Sequence, residues 1–282
     1  MHMIGLSCKD PNWINFFSLA NEIQKAGFTH VELCIYDMEY DSCLFQDQYL
    51  KQVKKYLEKF HFTASVHMIQ GINLAEKVPR IRQAAIDILK DTITIAGKLE
   101  AQWVTVHLGS AGFSNKNKLK KEQRLQYAIE SLQQVEPMLM EQNIKLALEN
   151  LPNMPDGQQK CKIGSSPDEF IYLFRTLNNK YYRMLFDFGH ANIYKPTENY
   201  IEAFAQELTE HVIAYHVHFN DGKEDMHVSL PHYEKEVEKH LPVLKLHFSR
   251  GIPFIFESYT LSENMESLTF LQQKIKMRQR RK

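Results

Sequence analysis

Apolar and polar positions follow two alternating periods along this chain. Short runs rich in β-branched and aromatic residues, as in 102–107 and 212–218, are separated by longer segments whose apolar positions recur every three or four residues. A strand period that alternates with a helix period predicts repeated βα units and a parallel sheet. The predicted strands lie near 2–7, 29–35, 62–67, 102–107, 144–149, 182–187, 212–218 and 252–257. The predicted helices lie near 12–26, 47–60, 79–97, 118–142, 167–178, 197–209, 232–247 and 262–275.

The faces of the predicted strands indicate how the units assemble. In the strand near 144–149, the apolar residues Ile144, Leu146 and Leu148 share one face, whereas Ala147 and Glu149 share the other. Bulky residues are therefore expected to face the surrounding helices, while the residue that ends each strand turns inward. Eight strands and eight helices in alternation predict a single (β/α)8 barrel domain that spans residues 1–282. Residues 275–282 are predicted to form a frayed, basic tail.

The composition narrows the class of protein. Lys and Arg together number 34, as do Asp and Glu, so the formal net charge is zero and nothing global favours a nucleic-acid partner. The four cysteines are irregularly spaced without a CxxC pair, which is typical of reduced thiols. No signal peptide is recognisable, and no apolar run approaches the roughly 20 residues that span a bilayer. We therefore expect a cytoplasmic enzyme without a membrane segment, in an oligomeric state that the sequence leaves open.

Six of the predicted strands end on a residue that can bind a metal ion. These residues are His67, His107, Glu149, Asp187, His218 and Glu257. The carboxyl ends of barrel strands meet at one face, where (β/α)8 enzymes build their active sites. The last four residues end consecutive strands, and carboxylates with an imidazole suit Zn²⁺, Mn²⁺ or a similar divalent ion. The pattern predicts a metal-dependent enzyme, although any one of these residues alone can also serve in a buried ion pair.

Further candidate ligands lie in the loops that follow two of these strands. His190 comes three residues after Asp187, and Gly189 between them is expected to let the chain turn off the strand. Asp225 and His227, in the loop after the next strand, are spaced so that both side chains can face one ion. Each residue taken singly is more often a hydrogen-bonding residue than a ligand, so the sequence leaves both roles open.

Two residues inside the predicted strands are expected to support this group without joining it. His216 lies two positions before His218 and therefore points to the same face, one layer deeper in the barrel. Glu32 lies in the middle of its strand and is predicted to be a buried partner. The small turn 109–112 after His107 can approach a phosphate with backbone N–H groups, but an ordinary βα turn explains it equally well.

Several of these segments together resemble the xylose isomerase-like barrel superfamily over nearly the whole chain. That superfamily contains sugar and sugar-phosphate isomerases and epimerases, and also the endonuclease IV enzymes, which form apurinic endonuclease family 2. The matching segments are 27–33, 66–75, 106–109, 148–150, 187–192, 216–221 and 256–258. Their combination is specific for the superfamily and much less specific for the activity.

The resemblance to the isomerase and epimerase branch implies one divalent ion, zinc or manganese, held by Glu149, Asp187, His218 and Glu257. Such an ion chelates a carbonyl and the adjacent hydroxyl of the substrate and stabilises the enediolate that forms. Glu149 and Glu257 are the expected catalytic pair, because one removes the proton and the other returns it. His190 is expected to hydrogen-bond a substrate oxygen. The expected substrate is a small sugar, a sugar phosphate or a related polyol.

The resemblance to the endonuclease branch implies three zinc ions and a metal-bridged hydroxide that attacks DNA at abasic sites. The implied ligands are His67, His107 and Glu149 for one ion, Glu149, Asp187, His218 and Glu257 for the second, and His190, Asp225 and His227 for the third. The first predicted strand lacks the histidine that these nucleases carry there, and zero net charge favours phosphate binding poorly. An isomerase or epimerase is therefore the leading hypothesis and the nuclease is the alternative. A barrel that binds metal or sugar without catalysis is the third.

Overall fold

The alternating segments fold into strand–helix units around a closed barrel. A computed structural model describes residues 3–9, 13–35, 46–112, 118–153 and 161–276. The strands are β1 (Ile4–Cys8), β2 (His30–Cys34), β3 (Thr63–His67), β4 (Trp103–Val106), β5 (Ser110–Gly112), β6 (Lys145–Glu149), β7 (Cys161–Lys162), β8 (Tyr182–Asp187), β9 (Val212–Val217) and β10 (Phe254–Phe256). All except β5 and β7 pair in parallel around the barrel, in the order β1-β10-β9-β8-β6-β4-β3-β2. The predicted barrel is confirmed.

Helices follow most of the strands and pack around the barrel. They are α1 (Ile14–Lys25), α2 (Asp47–Lys59), α3 (Pro79–Lys98), α4 (Lys118–Gln133), α5 (Glu136–Gln142), α6 (Pro167–Leu177), α7 (Phe188–Asn192), α8 (Tyr200–Glu207), α9 (Glu234–Ser249) and α10 (Leu261–Lys276). Among the described residues, none of the helices combines the length and the apolar character needed to cross a membrane. Beyond Lys276, the predicted basic tail lies outside the described residues.

One predicted helix is in fact two. The segment predicted as a single helix near 118–142 breaks between Gln133 and Glu136, where α4 ends and α5 begins. Pro137 lies in the first turn of α5 and has no N–H to donate. Its ring would clash with the carbonyl group of Gln133, four residues earlier, if a single α-helix continued. The helix therefore restarts at the proline, which is well tolerated in a first turn.

The small turn after His107 is also more ordered than the sequence indicated. Gly109 has a φ of 110°, and the next residues form β5, which pairs antiparallel with β7. The backbone N–H of Ser110 donates to Oδ1 of Asn73 at 3.0 Å, and Nδ2 of Asn73 donates to the Ser110 carbonyl at 3.1 Å. The Ser110 N–H therefore already donates within the protein, so it is not available to bind a phosphate at this turn.

The barrel has separate apolar clusters inside and outside its wall. Leu146 and Leu148 of β6 belong to the large core between the strands and the helices. Ala147, between them, belongs instead to a small cluster inside the barrel with Leu185 and Ile255. This alternation agrees with the predicted faces of the strand near 144–149. The small apolar cluster fills part of the barrel interior and leaves the polar strand ends at one face.

Candidate metal centre

The strand ends come together at one face of the barrel. β3, β6 and β8 end at His67, Glu149 and Asp187, and the pairing of β8 with β9 sets Asp187 directly beside His216. His107, His218 and Glu257 directly follow β4, β9 and β10. The structure thus gathers all six predicted strand-end residues, together with the loop residues His190, Asp225 and His227, into three groups of side chains able to hold a metal ion.

Glu149 contacts histidines from two neighbouring strands. Its Oε2 lies 3.2 Å from Nε2 of His67 and 2.9 Å from Nε2 of His107. His67 and Glu149 are buried, and His107 is partly exposed at the mouth of the barrel. We refer to His67, His107 and Glu149 as the inner group.

The central group consists of the carboxylates of Glu149, Asp187 and Glu257, with the rings of His216 and His218 beside them. Nε2 of His218 lies 3.0 Å from Oδ2 of Asp187 and 4.0 Å from Oε2 of Glu257. His216 lies closer to the carboxylates than the sequence indicated, because its Nδ1 is 3.2 Å from Oε1 of Glu149 and 3.3 Å from Oε2 of Glu257. The same nitrogen is 3.6 Å from Oδ2 of Asp187. His216 therefore touches every carboxylate of the group, whereas His218 lies near only two of them.

Glu32 lies beneath the central group and fixes the ring of His216. Its Oε2 accepts a hydrogen bond from Nε2 of His216 at 2.6 Å. Its Oε1 accepts hydrogen bonds from the hydroxyl groups of Thr105 at 2.6 Å and Ser65 at 3.1 Å. Glu32 and His216 are both completely buried. The predicted buried partner is thus present, and because Nε2 of His216 faces Glu32, Nδ1 faces the carboxylates of the central group.

The outer group is built from loop residues. Oδ2 of Asp225 lies 3.3 Å from Nε2 of His190, and Oδ1 of Asp225 lies 3.5 Å from Nε2 of His227. The ring of His227 stacks on that of His218 with centroids 4.0 Å apart. We refer to His190, Asp225, His227 and His218 as the outer group. As the spacing of Asp225 and His227 indicated, both side chains therefore face the same potential metal position.

The buried amide of Asn150 and the short helix α7 position the candidate ligand Asp187. Nδ2 of Asn150 donates to the Asp187 carbonyl at 2.9 Å, and the Asp187 N–H donates to Oδ1 of Asn150 at 2.7 Å. Asp187 also caps α7, because its Oδ1 accepts from the backbone N–H of His190 at 2.7 Å. One carboxylate oxygen of Asp187 thus holds α7, while the other faces the central group.

Gly189 has a different role from the one the sequence suggested. It lies within α7 and not in a turn that needs a left-handed backbone. A Cβ at this position would overlap the ring of His218. Glycine is therefore required because the His218 ring packs directly against the backbone of α7. This close approach brings the rings of His190 and His218 to a centroid distance of 5.7 Å.

The donor chemistry of the site fits a divalent metal ion. A metal-binding histidine usually donates its second N–H to a carbonyl or carboxylate, which fixes the ring and leaves a lone pair for the ion. Nδ1 of His67 lies 2.7 Å from the Met68 carbonyl, and Nδ1 of His190 lies 2.8 Å from the Asn150 carbonyl. Within the described part of the chain, the buried Oε2 of Glu257 makes no hydrogen bond. A buried acceptor without a donor is rare, and a bound cation would satisfy it.

The carboxylates and histidines shift one another's pKa values. Burial alone raises the pKa of Glu149, but His107 and His216 outweigh burial and hold the pKa well below its ordinary value. Burial also opposes ionisation of Asp187, yet the neighbouring histidines lower its pKa to about 2. Burial and the charge of His218 lower the pKa of His227. The carboxylates are therefore ionised at neutral pH and able to act as ligands or bases.

Lys9 is a site residue that the sequence interpretation missed. It directly follows β1, and its Nζ lies 3.1 Å from Oε1 of Glu257 and 3.0 Å from Nδ1 of His227. The strand period contained a usable signal, because Lys9 lies two positions after Ser7, which pairs with the inward-facing Glu32. A pattern of metal-binding residue types does not include Lys9, because an ammonium group does not bind metal ions.

A small polar cavity opens over the three groups. Its volume is about 140 Å³, and its wall includes Glu149, His190 and Glu257. Gln70 and Lys162 also line it. The fold and this site define the chain as a (β/α)8 barrel with a cluster of side chains able to hold a metal ion beneath a polar cavity.

Residues 20–254 match the family described as the xylose isomerase-like TIM barrel, and the chain belongs to this family. The expected resemblance is confirmed. Two uncharacterized proteins of Methanocaldococcus jannaschii are similar in sequence. MJ1311 is 24% identical over 64% of this chain and 59% of its own length, and MJ1614 is 25% identical over 57% of each. The chain thus covers less than two thirds of either relative.

Solved structures share the fold across nearly all of both chains. A D-tagatose 3-epimerase-like protein superposes with a TM-score of 0.78 and 19% identity, covering 100% of this chain and 99% of that one. The TTHB071 protein from Thermus thermophilus, soaked with ZnCl₂, gives 0.73 and 19%, covering 96% and 97%. D-allulose 3-epimerase from Methylomonas sp., in complex with D-allulose, gives 0.73 and 12%, covering 97% of each. At these identities the similarity establishes the fold alone.

Proposed function

We propose that this chain is a divalent-metal-dependent epimerase or isomerase of a small sugar, acting as one barrel domain. The observation that carries the proposal is the placement of Glu149 and Glu257 in the wall of one small polar cavity. Their strands, β6 and β10, are separated by two others around the barrel. Two ionised carboxylates from different strands in the wall of one cavity would suit removal of a proton from a carbon and its return to another face or position.

The proposed metal ligands are Glu149, Asp187, His218 and Glu257, with zinc or manganese as the ion. A bound divalent ion would polarise a sugar carbonyl and its neighbouring hydroxyl. Support for the fit comes from the orphaned Oε2 of Glu257 and from the distance of 3.0 Å between Asp187 and His218. His67 and His107 would hold Glu149 in place, or bind a second ion with it.

In the proposed reaction, side chains of the protein transfer the protons. Burial raises the pKa of Glu257, but His216 and Lys9 outweigh burial and hold it well below its ordinary value. Glu149 and Glu257 are thus both carboxylates at neutral pH, so either one can accept the first proton. The carboxyl group that accepted the proton can return it to the adjacent carbon, as an isomerase requires, whereas inversion at one carbon requires the other carboxylate to take up a proton from water first. His190, whose Nε2 lies at the cavity wall beside Asp225, would hydrogen-bond a substrate oxygen.

The proposed substrates are ketoses. The similar solved structures include a D-tagatose 3-epimerase-like protein and a D-allulose 3-epimerase bound to D-allulose, and their folds support a sugar of this class here. A cavity lined mainly by charged and polar side chains suits the many hydroxyl groups of a sugar. Because Lys162 also lines the cavity, phosphorylated ketoses belong in the substrate panel beside neutral ones.

The proposal is tested by solvent isotope exchange. The zinc- and manganese-loaded proteins are incubated in D₂O with D-tagatose, D-allulose and their phosphates, and mass spectrometry detects deuterium at carbon. We expect incorporation by the wild type and a loss of about 10²- to 10⁴-fold in Glu257→Gln, because general acid–base catalysis is worth this much. The surface variant Glu58→Gln is the matched control. Metal content measured on each protein separates loss of the base from loss of the ion.

Two outcomes would contradict the proposal. Exchange at the wild-type rate in Glu257→Gln would exclude this carboxylate from proton transfer. A wild type that exchanges none of the sugars with either ion would reject the epimerase activity itself.

One observation favours the alternative, a zinc-dependent phosphodiesterase like endonuclease IV that acts on DNA at abasic sites. All of the ligands implied by that resemblance lie in three adjoining groups. Three ions, two of which would share Glu149, would suit an in-line attack on a phosphodiester. The alternative depends above all on the outer group, because His190, Asp225 and His227 would have to bind the third ion.

A further inference from the structure

The ammonium group of Lys9 lies between Glu257 of the central group and His227 of the outer group. Lys9 directly follows β1, and its side chain is only 14% exposed. Its Nζ forms an ion pair with Oε1 of Glu257 at 3.1 Å. The ring of Tyr259 lies 5.8 Å from Nζ. Lys9 is therefore a mostly buried side chain whose ammonium group is paired with a carboxylate of the site.

The three N–H groups of Lys9 match three acceptors. Nζ lies 3.1 Å from Oε1 of Glu257, 3.2 Å from the Glu257 carbonyl oxygen and 3.0 Å from Nδ1 of His227. An ammonium group has three donors and no acceptor. Charge-assisted hydrogen bonds to a carboxylate are also the stronger ones, so Glu257 anchors the group. The contact with His227 then has to be a hydrogen bond from Lys9 to a lone pair on Nδ1.

This contact determines which nitrogen of His227 carries its proton. If Nδ1 accepts from Lys9, the neutral ring carries its hydrogen on Nε2, where Oδ1 of Asp225 lies 3.5 Å away. In the other tautomer, Nδ1–H would donate to the Glu257 carbonyl at 2.9 Å, but it would also face an N–H of Lys9 at 3.0 Å. Two donors at that distance, one of them charged, repel each other. In the first tautomer the Nδ1 lone pair and the Glu257 carbonyl oxygen also lie only 2.9 Å apart, but both are neutral acceptors and the ammonium group donates to both of them. Lys9 therefore favours the tautomer with hydrogen on Nε2.

His227 differs in this respect from the other histidines of the site. Nδ1 of His67 and Nδ1 of His190 face the carbonyls of Met68 and Asn150 and can donate to them. Their Nε2 lone pairs are thereby free to bind an ion. In His227 the nitrogen that faces Asp225 carries the hydrogen, and a protonated nitrogen has no lone pair for a metal ion.

We propose that Lys9 removes His227 from the ligand set and so keeps a metal ion out of the outer group. The inference rests on the proposed metal centre, but not on epimerase activity. It makes Lys9 a positioning residue that sets the number of ions, which the sequence leaves open between one and three. A centre limited to the inner and central groups suits proton transfer on a sugar, and it lacks the third ion that phosphodiester cleavage would need.

The tautomer is measured directly in the metal-free wild type. Selective ¹⁵N labelling of histidine and long-range ¹H–¹⁵N correlation spectra distinguish Nδ1–H from Nε2–H in each ring, and His227→Ala identifies the signals. We expect His227 with hydrogen on Nε2, and His67 and His190 with hydrogen on Nδ1. Hydrogen on Nδ1 of His227 would overturn the inference, whatever the behaviour of any variant.

The ion count is measured by elemental analysis and zinc titration of the full chain. We expect Lys9→Met to bind one more zinc ion per chain than the wild type, and we expect the double variant Lys9→Met/His227→Ala to lose the added ion. Lys162→Met is the matched control, because it removes the same charge from the wall of the polar cavity. Equal zinc counts in the wild type and Lys9→Met would contradict the inference. A gain of zinc in Lys9→Met without sugar exchange would support it while rejecting the proposed activity.

Discussion

At the scale of single residues, Glu32 links the barrel interior to the candidate metal centre. It accepts hydrogen bonds from Thr105, Ser65 and His216, so every carboxylate oxygen has a donor. His216 in turn contacts the carboxylates of the central group. Burial raises the pKa of Glu32, but His216 outweighs burial and lowers it below the ordinary value. The stability of the barrel and the placement of the ligands therefore depend on the same side chain.

We expect Glu32→Gln to lower the unfolding free energy of the metal-free protein by about 3 kcal/mol, because removal of one partner leaves a buried ion pair uncompensated. Thr105→Val removes a single hydroxyl donor to the same carboxylate and should cost about 1 kcal/mol. Urea denaturation followed by circular dichroism measures both variants. A smaller loss in Glu32→Gln than in Thr105→Val would show that the carboxylate is not the centre of this network.

The difference in unfolding free energy between the wild type and Glu32→Gln should also depend on pH, in a direction that follows from the lowered pKa of Glu32. Because the folded-state pKa of Glu32 is lowered, its contribution to stability is complete above its unfolded value of about 4.5. That contribution is lost as the pH falls toward the folded value. The difference in unfolding free energy between the wild type and Glu32→Gln should thus be large at pH 7 and should shrink below about pH 4.5. A difference that grows on acidification would contradict this assignment of the charge.

At the scale of secondary-structure elements, α7 is a short helix whose function is to place two rings. It follows β8 without a linker, and Asp187 caps its first turn. His190 projects from it toward Asp225, while Gly189 makes room for His218. Nδ2 of Asn220 donates to the Gly189 carbonyl at 2.8 Å and fixes the helix against the following loop. The geometry of the outer group therefore depends on close backbone packing.

Gly189→Ala should displace the His218 ring, because the added Cβ overlaps it. We expect zinc affinity to fall by at least tenfold while the far-ultraviolet circular dichroism spectrum keeps its shape. The control is Ala191→Gly in the same helix, which costs up to about 1 kcal/mol of helix propensity but adds no atom near His218. Isothermal titration calorimetry measures the affinities. Equal zinc binding by the two variants would show that the His218 position does not matter for the ion.

At the scale of the whole molecule, charge distinguishes the two candidate activities. The chain carries 34 basic and 34 acidic residues, so its formal net charge is zero. DNA binding gains most of its affinity from neutralised phosphates, and it weakens steeply as salt rises. The described residues concentrate acidic and imidazole groups at the barrel mouth, and the cations there include Lys9, which is paired with Glu257. This distribution suits a small polar substrate better than a duplex.

We expect no nicking of an abasic-site duplex by the zinc-loaded wild type at physiological salt, and no binding that survives there in a gel-shift assay. The variant Glu257→Gln should likewise neither nick nor bind the duplex. If the wild type does nick the duplex, His227→Ala decides the cause. A fall of orders of magnitude in that variant would establish the nuclease and its third ion, whereas unchanged nicking would point to a contaminating enzyme.

The sequence alone determined the architecture and showed where the candidate site residues would gather. A strand period places alternate residues on opposite faces, so Ala147 inside and Leu146 outside could be derived from β6 alone. Strand ends that carry metal ligands predict a shared mouth, because parallel strands of a barrel all end at the same face. The break at Pro137 was also encoded locally, through the missing N–H of proline. These inferences need only short-range rules.

Only the tertiary structure decided which side chains touch. His216 and His218 have the same parity in β9 and the loop after it, and no local rule shows that His216 contacts three carboxylates from other strands. The contact of Lys9 with His227 joins residues 218 positions apart, and it exists because the barrel closes β1 against β10. Interatomic distances across a closed barrel depend on register and closure, which are properties of all the strands together. The end of the barrel at which the candidate ligands lie was therefore predictable, but the hydrogen-bond partners that decide their tautomers were not.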